Sequence, residues 1–230
     1  KKKISLVVAA ATATEVTLRD ALNRLRCYGA WLVRSGQDNP FLDVSAGVAS
    51  RVASDRATIN RAEVKFLTTC PEIPAQRRAL WTILASTGLR PVEASRVRPE
   101  HITRQGGEWV LLLPSACQKA RRADPIGLTK AEVKLIRDHC PLVPGAVDKL
   151  YRHFRKDLAA AGVPVMQHGV ARTPYNLRSY FVTELIRQGA DPKTVQMLAR
   201  HRDYKTTATH YARFTRAEVA KTRQQLLLNN

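Results

Sequence analysis

The chain has 230 residues, of which 44% are hydrophobic, so it can bury a core, and disorder along its whole length is excluded. Its 38 lysines and arginines against 19 aspartates and glutamates give a formal charge of +19, which predicts a polyanionic partner. No apolar stretch approaches the ~20 residues of a membrane span, so nucleic acid is favoured over a membrane as that partner.

The cysteine pattern disfavours both zinc and disulfide sites, because the four cysteines are scattered without a C-x-x-C pair. Free thiols in a reducing cytoplasm fit this pattern better. We therefore expect a cytoplasmic protein without a structural metal. The cysteines are Cys27, Cys70, Cys117 and Cys140.

The first part of the chain is predicted to be a helical segment followed by a linker. Apolar residues at helical spacing predict a helix over residues 18–33, and Asn39-Pro40 predicts a break after it. The irregular stretch 41–58 is expected to be a linker. This places the domain boundary between residues 1–56 and residues 57–230.

Helix starts are marked in the second part of the chain by residues that satisfy free backbone N–H groups. Capping boxes occur at Asn60–Glu63, Thr129–Glu132 and Thr215–Glu218. A longer helix is expected after Pro144, with Gly162 closing it.

A sharp corner between two helices is predicted around Arg90. The helix that starts at Pro74 is expected to end at Gly88, and Pro91 is expected to open the next helix. Arg90 lies between these signals, so the backbone of the corner should position its side chain.

Residues 101–128 change from helical to strand periodicity. The segments 101–103 and 109–113, joined by Gly106-Gly107, predict a hairpin, and 124–128 a third strand. A basic turn, 118–122, lies before that strand. Many short helices around one small antiparallel sheet predict a mainly helical α+β domain.

The segment 173–214 carries a cation, an imidazole and a phenol within a short run. Arg178 lies in a predicted helix, and Asp191 is expected to cap the next one. His201 follows that helix, and Tyr211 lies just beyond an expected Thr-Thr turn. These are the groups needed to hold a phosphate and attack it.

Breaking and rejoining a phosphodiester without a metal ion has three requirements. The non-bridging oxygens need fixed positive charge, for which the planar forks of arginine are well suited. A nucleophile must form a covalent intermediate, and a proton donor must neutralise the leaving oxygen. The sequence contains no H-E-x-x-H motif and no D-x-D run, so we expect neither a metal nor another cofactor.

Four motifs, taken in order, resemble those of the tyrosine recombinases, the phage integrase family. TGLRPVEA at 87–94 is similar to the family's first arginine motif, and YNLR at 175–178 to its second. LARHRDYKTTATHY at 198–211 resembles the segment in which a histidine precedes the tyrosine. Lys119 lies where the family has a hairpin lysine. The resemblance covers about residues 60–225.

The resemblance implies a role for each matched residue. It implies that Arg90 and Arg178 clamp the scissile phosphate and that His201 hydrogen-bonds it. It further implies that Tyr211 attacks the phosphorus and becomes a 3′-phosphotyrosine. Lys119 would protonate the leaving 5′ oxygen.

Glu93 matches an accessory position of the family, whereas Tyr175 and Arg200 differ from the residues that the family usually has. Glu93 takes the family's acidic position, where it would orient its neighbours. Tyr175 stands at the catalytic position usually held by histidine, and a phenol of pKa near ~10 is a poor base. Arg200 stands where glycine is usual, and its side chain is expected to face outward, with an extra cation near the phosphate as the alternative. Arg121, Arg122 and Arg200 are candidates for DNA binding.

The implied partner is double-stranded DNA, exchanged through a Holliday intermediate. The resemblance also implies a homo-oligomer, a tetramer on DNA, coupled by donation of the C-terminal helix that contains 226–228; self-packing of that helix is the alternative. Residues 1–56 resemble only part of the core-binding domain that completes the family's clamp around DNA.

Simpler interpretations stay open for single residues. Arg90 could cap a helix, Arg178 could pair with Glu184, His201 could be structural, and Lys119 could be a solvated turn lysine. Tyr204 competes with Tyr211 as the nucleophile, although it could instead belong to the core. Two other functions also stay open: a DNA-binding accessory or regulatory protein that has lost catalysis, and a nicking-closing enzyme that acts without synapsis.

Overall fold

The computed structural model describes residues 15–41, 57–114, 124–143, 147, 149–212 and 214, and of residues 15–23 and 26 it describes only the backbone. The chain divides into two compact units, Lys1–Ser54 and Asp55–Asn230. That the first unit is a partial core-binding domain stays a prediction. Within the described ranges, every helix is too short or too polar to cross a bilayer.

The secondary structure is mainly helical. The helices are α1 (Glu15–Arg34), α2 (Arg61–Thr69), α3 (Ala75–Thr87), α4 (Pro91–Ala94), α5 (Lys130–His139), α6 (Lys149–Ala160), α7 (Tyr175–Arg187), α8 (Pro192–Leu198) and α9 (204–212). The strands are β1 (Ile102–Gln105), β2 (Glu108–Leu111), β3 (Ile126–Leu128), β4 (Met166–Gln167) and β5 (Val170–Ala171), and a 3₁₀ turn, Pro99–His101, precedes β1. The predicted mainly helical α+β class is confirmed.

In the first unit, the side chain of Asn39, from the turn after α1, packs against Gly29 of that helix and leaves no room for a larger residue there. A Cβ at Gly29 would stand 2.1 Å from Oδ1 of Asn39. That oxygen accepts a hydrogen bond of 2.9 Å from the backbone N–H of Phe41, which folds the turn back onto the helix. Tyr28 and Trp31 stack on the helix surface with ring centroids 5.6 Å apart.

The second unit is organised around α3, which packs against α2, α5 and α7. From Ala79 to Thr87 most of its residues are buried, and they lie on several sides of the helix, as expected for a helix that packs against several neighbours. Leu80, Ile83 and Leu84 are each at most 1% exposed. The packing of α3 therefore fixes the position of the corner that follows its C-terminal end.

The three-stranded sheet has the order β1-β2-β3, and both pairings are antiparallel. Ile102 pairs with Leu111, and Leu111 pairs with Ile126, so one row of apolar side chains faces the core. Thr129 then caps α5 together with Glu132, as the capping box predicts.

A smaller apolar cluster joins α7 to α8. It consists of Val182, Ile186, Val195 and Ala199, and the rings of Phe181 and Tyr211 pack against it. This cluster places the candidate nucleophile beside α7 and α8.

The structure corrects two local predictions. Thr206 and Thr207 lie inside α9, so the expected Thr-Thr turn is wrong. The β4–β5 hairpin was missed, because its strands have only two residues each. The predicted basic turn 118–122 and the predicted C-terminal helix from Thr215 lie outside the described residues.

A buried ion pair ties α3 to α6. Asp157 is 2% exposed and accepts hydrogen bonds from Arg77 Nε at 2.8 Å and Nη2 at 2.9 Å. It also accepts one from Trp81 Nε1 at 2.9 Å, and the Trp81 ring meets Phe154 edge-on. The carboxylate therefore satisfies two different side chains of α3 at once.

Removing this carboxylate should destabilise the second unit strongly. Asp157→Ala leaves the Arg77 charge and the indole N–H without their acceptor, so we expect the free energy of unfolding to fall by about 3 kcal/mol. Denaturant unfolding measures the change. Asp138→Ala, which breaks the exposed pair with Lys134, is the control and should have little effect. Equal stability of the two variants would contradict this assignment.

Candidate active site

The helix corner at Gly88 has a shape that only glycine fits. Gly88 ends α3 with a φ of 60°, and its backbone N–H bonds the carbonyl of Leu84. A Cβ there would lie 2.3 Å from the ring of Phe181 on α7. The chain therefore turns tightly against α7, and the Gly88 carbonyl accepts hydrogen bonds from arginine side chains.

Arg90 follows this corner as the N-cap residue of α4 and is held by Glu93. Its backbone N–H donates to Glu93 Oε2 at 2.9 Å, and its Nη1 donates to Oε1 at 2.6 Å. Burial raises the pKa of the Glu93 carboxyl, but the hydrogen bonds and charge of Arg90 and the charge of Arg200 outweigh it and lower the pKa below its usual value. Arg90 is thus both a helix cap and a fixed cation.

Arg178, in the first turn of α7, faces the same corner. It is 7% exposed, and its two Nη atoms donate to the carbonyls of Gly88 and Ala199. Burial, followed by the charges of Arg90 and Arg200, lowers its pKa to about 9, so the guanidinium keeps its charge at neutral pH. Glu184, considered from the sequence as its partner, pairs instead with Arg61 and Arg187.

Arg200 is buried beside these two arginines, so the expectation of an outward-facing side chain is wrong. It is 7% exposed and has a φ of 53°. Its Nη2 lies 3.5 Å from Glu93 Oε2 and donates to the Gly88 carbonyl at 3.2 Å. Its candidate role in DNA binding stays a prediction.

His201 is a neutral imidazole at the edge of this cluster. Its Nδ1 shares a hydrogen bond of 2.9 Å with Oγ1 of Thr207, and its ring stacks on His210 with centroids 6.0 Å apart. Burial, followed by the charges of Arg178, His210, Arg90 and Arg200, lowers its pKa to about 4. At neutral pH the ring can exchange hydrogen bonds without adding a charge.

Tyr211 lies in α9 and is turned away from the arginines. Its hydroxyl donates to the carbonyl of Ala190, which precedes α8, whereas Arg178 bonds the carbonyl of Ala199 at the other end of that helix. A helix of this length separates the two carbonyls by on the order of 10 Å. Burial, followed by Asp191 and Tyr204, raises the pKa of the Tyr211 phenol.

The competing tyrosines have different surroundings. Tyr204 is 49% exposed, so the interpretation that it packs in the core is wrong. Tyr175 is 41% exposed at the start of α7, one turn before Arg178 and therefore on the same face of that helix. It lies near Tyr151, whose pKa is raised by burial and by Tyr175.

A cleft of about 950 Å³ opens beside the arginine cluster. Arg200 and His201 line it, as do Asp124 and Pro125, which lead into β3. Lys119, Arg121 and Arg122 lie outside the described residues, so their roles stay predictions. No group of three or more His, Cys, Asp or Glu that could hold a metal occurs in the described part of the chain.

The sequence predictions missed several groups that shape this site. The carbonyls of Gly88 and Ala199 carry no sequence signal, because every residue has one. Thr207 could have been found from its spacing, since it lies on α9 one turn before Tyr211. His210 stands directly before that tyrosine, and only the fold places its ring against His201.

Comparison with known proteins identifies related chains and folds. Residues 58–218 match the sequence model of the phage integrase family. Two Sinorhizobium fredii proteins, y4qK and y4eF, are 28% and 29% identical to this chain over alignments of 159 residues, which cover 64% of this chain. Their names describe candidate integrase/recombinases. The chain spans about half the length of these curated relatives, 49% and 60% respectively.

Solved structures with the same fold include two recombinases and an integrase. XerH bound to its difH substrate in a post-cleavage complex has a TM-score of 0.68 at 17% identity, covering 91% of this chain and 67% of that one. A lambda integrase dimer bound to a COC′ core site has a TM-score of 0.64 at 17% identity, with coverages of 85% and 59%. XerA has a TM-score of 0.56 at 16% identity, with coverages of 89% and 76%.

The lowered pKa of His201 should make the fold sensitive to acid. An unfolded histidine has a pKa of about 6.5, so between about pH 6.5 and 4 the unfolded chain binds a proton that the folded chain does not. We therefore expect stability to fall as the pH falls through this window, and to fall less in His201→Gln. Denaturant unfolding across the window measures this difference. An imidazole NMR titration with a midpoint near 6.5 would contradict the buried, neutral His201.

Proposed function

The chain belongs to the phage integrase family, and on that premise we propose that it is a site-specific recombinase or integrase that cleaves and rejoins DNA through Tyr211. The observation that supports this most is the convergence of Arg90 and Arg178 on the corner at Gly88. The predicted family resemblance is confirmed, whereas the reaction and the residue roles are our proposal.

The two arginines supply the fixed charge that phosphoryl transfer needs. Arg90 is held by Glu93 and Arg178 by backbone carbonyls, so neither has to be ordered when a phosphate arrives. Charge that builds on the non-bridging oxygens would meet donors that are already in place. His201, neutral at pH 7, would add a hydrogen bond to the same phosphate.

In the proposed step the Tyr211 oxygen attacks phosphorus and the bond from phosphorus to the 5′ oxygen breaks. The 5′ oxygen takes a proton from Lys119, and the phenolic proton leaves to a base. The 3′ end remains on Tyr211 as a phosphotyrosine, and reversal of these steps reseals a strand. No cofactor takes part in this scheme.

The resting position of Tyr211 implies that α9 moves before cleavage. Its hydroxyl is engaged by the Ala190 carbonyl, on the order of 10 Å from the arginines by the rise of α8. We infer that DNA binding or assembly releases this hydrogen bond and brings the phenol to the phosphate. A free chain would then hold its nucleophile away from DNA.

Double-stranded DNA is the proposed partner. XerH and lambda integrase, which share the fold, are in complexes with DNA sites, and this chain carries a formal charge of +19. Arg121 and Arg122 are proposed to bind the backbone. A tetramer coupled by the segment around 226–228 is proposed as well, and that segment lies outside the described residues.

A second candidate function is a DNA-binding accessory protein without cleavage activity. Two observations favour it. Tyr175 replaces an imidazole with an exposed phenol, and the Tyr211 hydroxyl is bound to the Ala190 carbonyl. Such a protein would keep the basic surface but form no covalent adduct.

Covalent capture separates the two functions. The full chain is incubated with nicked duplexes that have randomised sequence around the nick, and adducts are separated under denaturing conditions. We expect an adduct whose DNA-linked peptide contains Tyr211 by mass spectrometry. Tyr211→Phe should abolish it, whereas Tyr204→Phe should retain it. Binding of the duplexes without any adduct would contradict cleavage and support the accessory function.

Restoring an imidazole at residue 175 should speed cleavage. Tyr175 lies one helical turn before Arg178, so Tyr175→His places a better proton acceptor on the same face of α7. We expect the single-turnover rate of adduct formation to rise, by about 10-fold or more, because a positioned base contributes on this scale. Tyr175→Phe is the control for loss of the hydroxyl. An unchanged or lower rate in Tyr175→His would overturn this account of residue 175.

A further inference from the structure

Arg200 joins the supports of both proposed phosphate-binding arginines. Its Nη2 lies 3.5 Å from Oε2 of Glu93, the carboxylate whose Oε1 accepts from Arg90 Nη1 at 2.6 Å. The same Nη2 donates at 3.2 Å to the Gly88 carbonyl, which also accepts from Arg178 Nη1. One buried side chain therefore touches an anchor of each arginine.

The backbone of the same segment adds two more links. Arg178 donates to the carbonyl of Ala199, and Arg90 Nη2 donates at 3.5 Å to the carbonyl of Arg200. Arg200 Nη1 in turn reaches the carbonyls of Thr87 and Leu198, each at 3.4 Å. The residues at 199–200 thus form a bridge between the α3–α4 corner and the end of α8.

The backbone conformation of Arg200 is unfavourable for its residue type, so the contacts of its side chain have to offset that cost. Its φ of 53° lies in the left-handed region, which glycine enters at lower energetic cost. Its side chain is 4% exposed, against 19% for that of Arg90, and it lines the cleft beside the arginine cluster. Both terminal nitrogens of its guanidinium are engaged, by Glu93 and by backbone carbonyls.

We propose that Arg200 is a positioning residue that fixes Arg90 through Glu93 and Arg178 through the Gly88 carbonyl, and does not itself contact DNA. This inference rests on the proposed function, because it assigns Arg90 and Arg178 to the phosphate. It also replaces the earlier candidate role of Arg200 in DNA binding.

The distribution of charge around Arg200 supports its role as a positioning residue. Glu93 is the only acidic side chain in the described residues that pairs with Arg90 or Arg200, so one carboxylate serves two guanidinium groups. Without Arg200, Glu93 would keep only Arg90, and the Gly88 carbonyl only Arg178. Arg90 and Arg178 would then no longer be linked through Arg200, and each could move more freely relative to the other.

The test compares Arg200→Gly with wild type in two measurements, adduct formation and DNA affinity. Glycine suits the left-handed φ, so the fold should survive, which thermal unfolding checks. We expect adduct formation under single-turnover conditions to slow by about 10–100-fold, since small misplacements of reacting groups have effects of this size. DNA affinity should change by less than about 3-fold, with an unchanged salt dependence, because no phosphate contact is lost.

Two further variants sharpen this comparison. Arg200→Lys keeps the charge but cannot span Glu93 and the carbonyl as a planar fork, so its rate should fall between those of wild type and Arg200→Gly. Lys134→Gln removes an exposed charge on α5, away from the cleft, and should leave the cleavage rate unchanged. Weaker DNA binding by Arg200→Gly, with a salt slope reduced by about one and an unchanged rate, would overturn the proposal and restore a direct DNA contact.

A readout without DNA separates this proposal from the proposed function. In ¹⁵N–¹H spectra of the free chain, we expect slowly rotating Nη–H groups for Arg90 and Arg178, assigned with Arg90→Lys and Arg178→Lys. In Arg200→Gly these signals should broaden or merge. Their persistence would overturn the role of Arg200 even if wild type cleaves DNA. Absence of an adduct from wild type, with the signals changed as expected, would overturn only the enzymatic function.

Discussion

Three guanidinium groups meet in one corner of the fold, and a single buried carboxylate is what allows two of them to stay there. Glu93 is 2% exposed and pairs with both Arg90 and Arg200. Like charges brought together in a poorly solvated site repel one another, so the corner needs both this acid and the backbone carbonyls around it. The surplus positive charge that remains is what an anionic phosphate would neutralise.

The backbone at the corner is as important as the charges. Gly88 turns tightly because the ring of Phe181 leaves no room for a Cβ, and this turn exposes a carbonyl to Arg178 and Arg200. The corner lies at the end of the central helix α3, so the packing of α3 in the core fixes the position of the corner. The cation cluster is thus held by a well-packed part of the molecule, and preorganised donors of this kind need little rearrangement when charge develops.

The proposed nucleophile is held by a different and smaller part of the fold. Tyr211 packs on the cluster between α7 and α8, and its hydroxyl is satisfied by the Ala190 carbonyl. The arginines proposed to bind phosphate are held by Glu93 and the carbonyls of the corner, whereas Tyr211 is held by the Ala190 carbonyl. If the proposed function holds, the charge that binds DNA is already in place in this structure, whereas the tyrosine has to change position before it attacks.

Local features were predictable from the sequence because the interacting groups lie a few residues apart. The capping boxes at Asn60 and Thr129, the left-handed Gly88 and the Asp191 cap are all of this kind. The motifs around Arg90, Arg178 and Tyr211 were likewise sufficient to predict the family, since their order and spacing are written along the chain.

Contacts between distant residues had no such signal. Arginine is mostly exposed in proteins, which is why Arg200 was expected at the surface, yet the corner supplies it with Glu93 and three carbonyls inside the fold. Tyr211 followed His201 at a distance typical of the motif, but the sequence could not show that its hydroxyl is bound to Ala190. The sequence by itself determined which chemical groups this protein has and in what order they occur along the chain. Only the tertiary structure decided which of those groups face one another, because that depends on how helices far apart in the chain pack together.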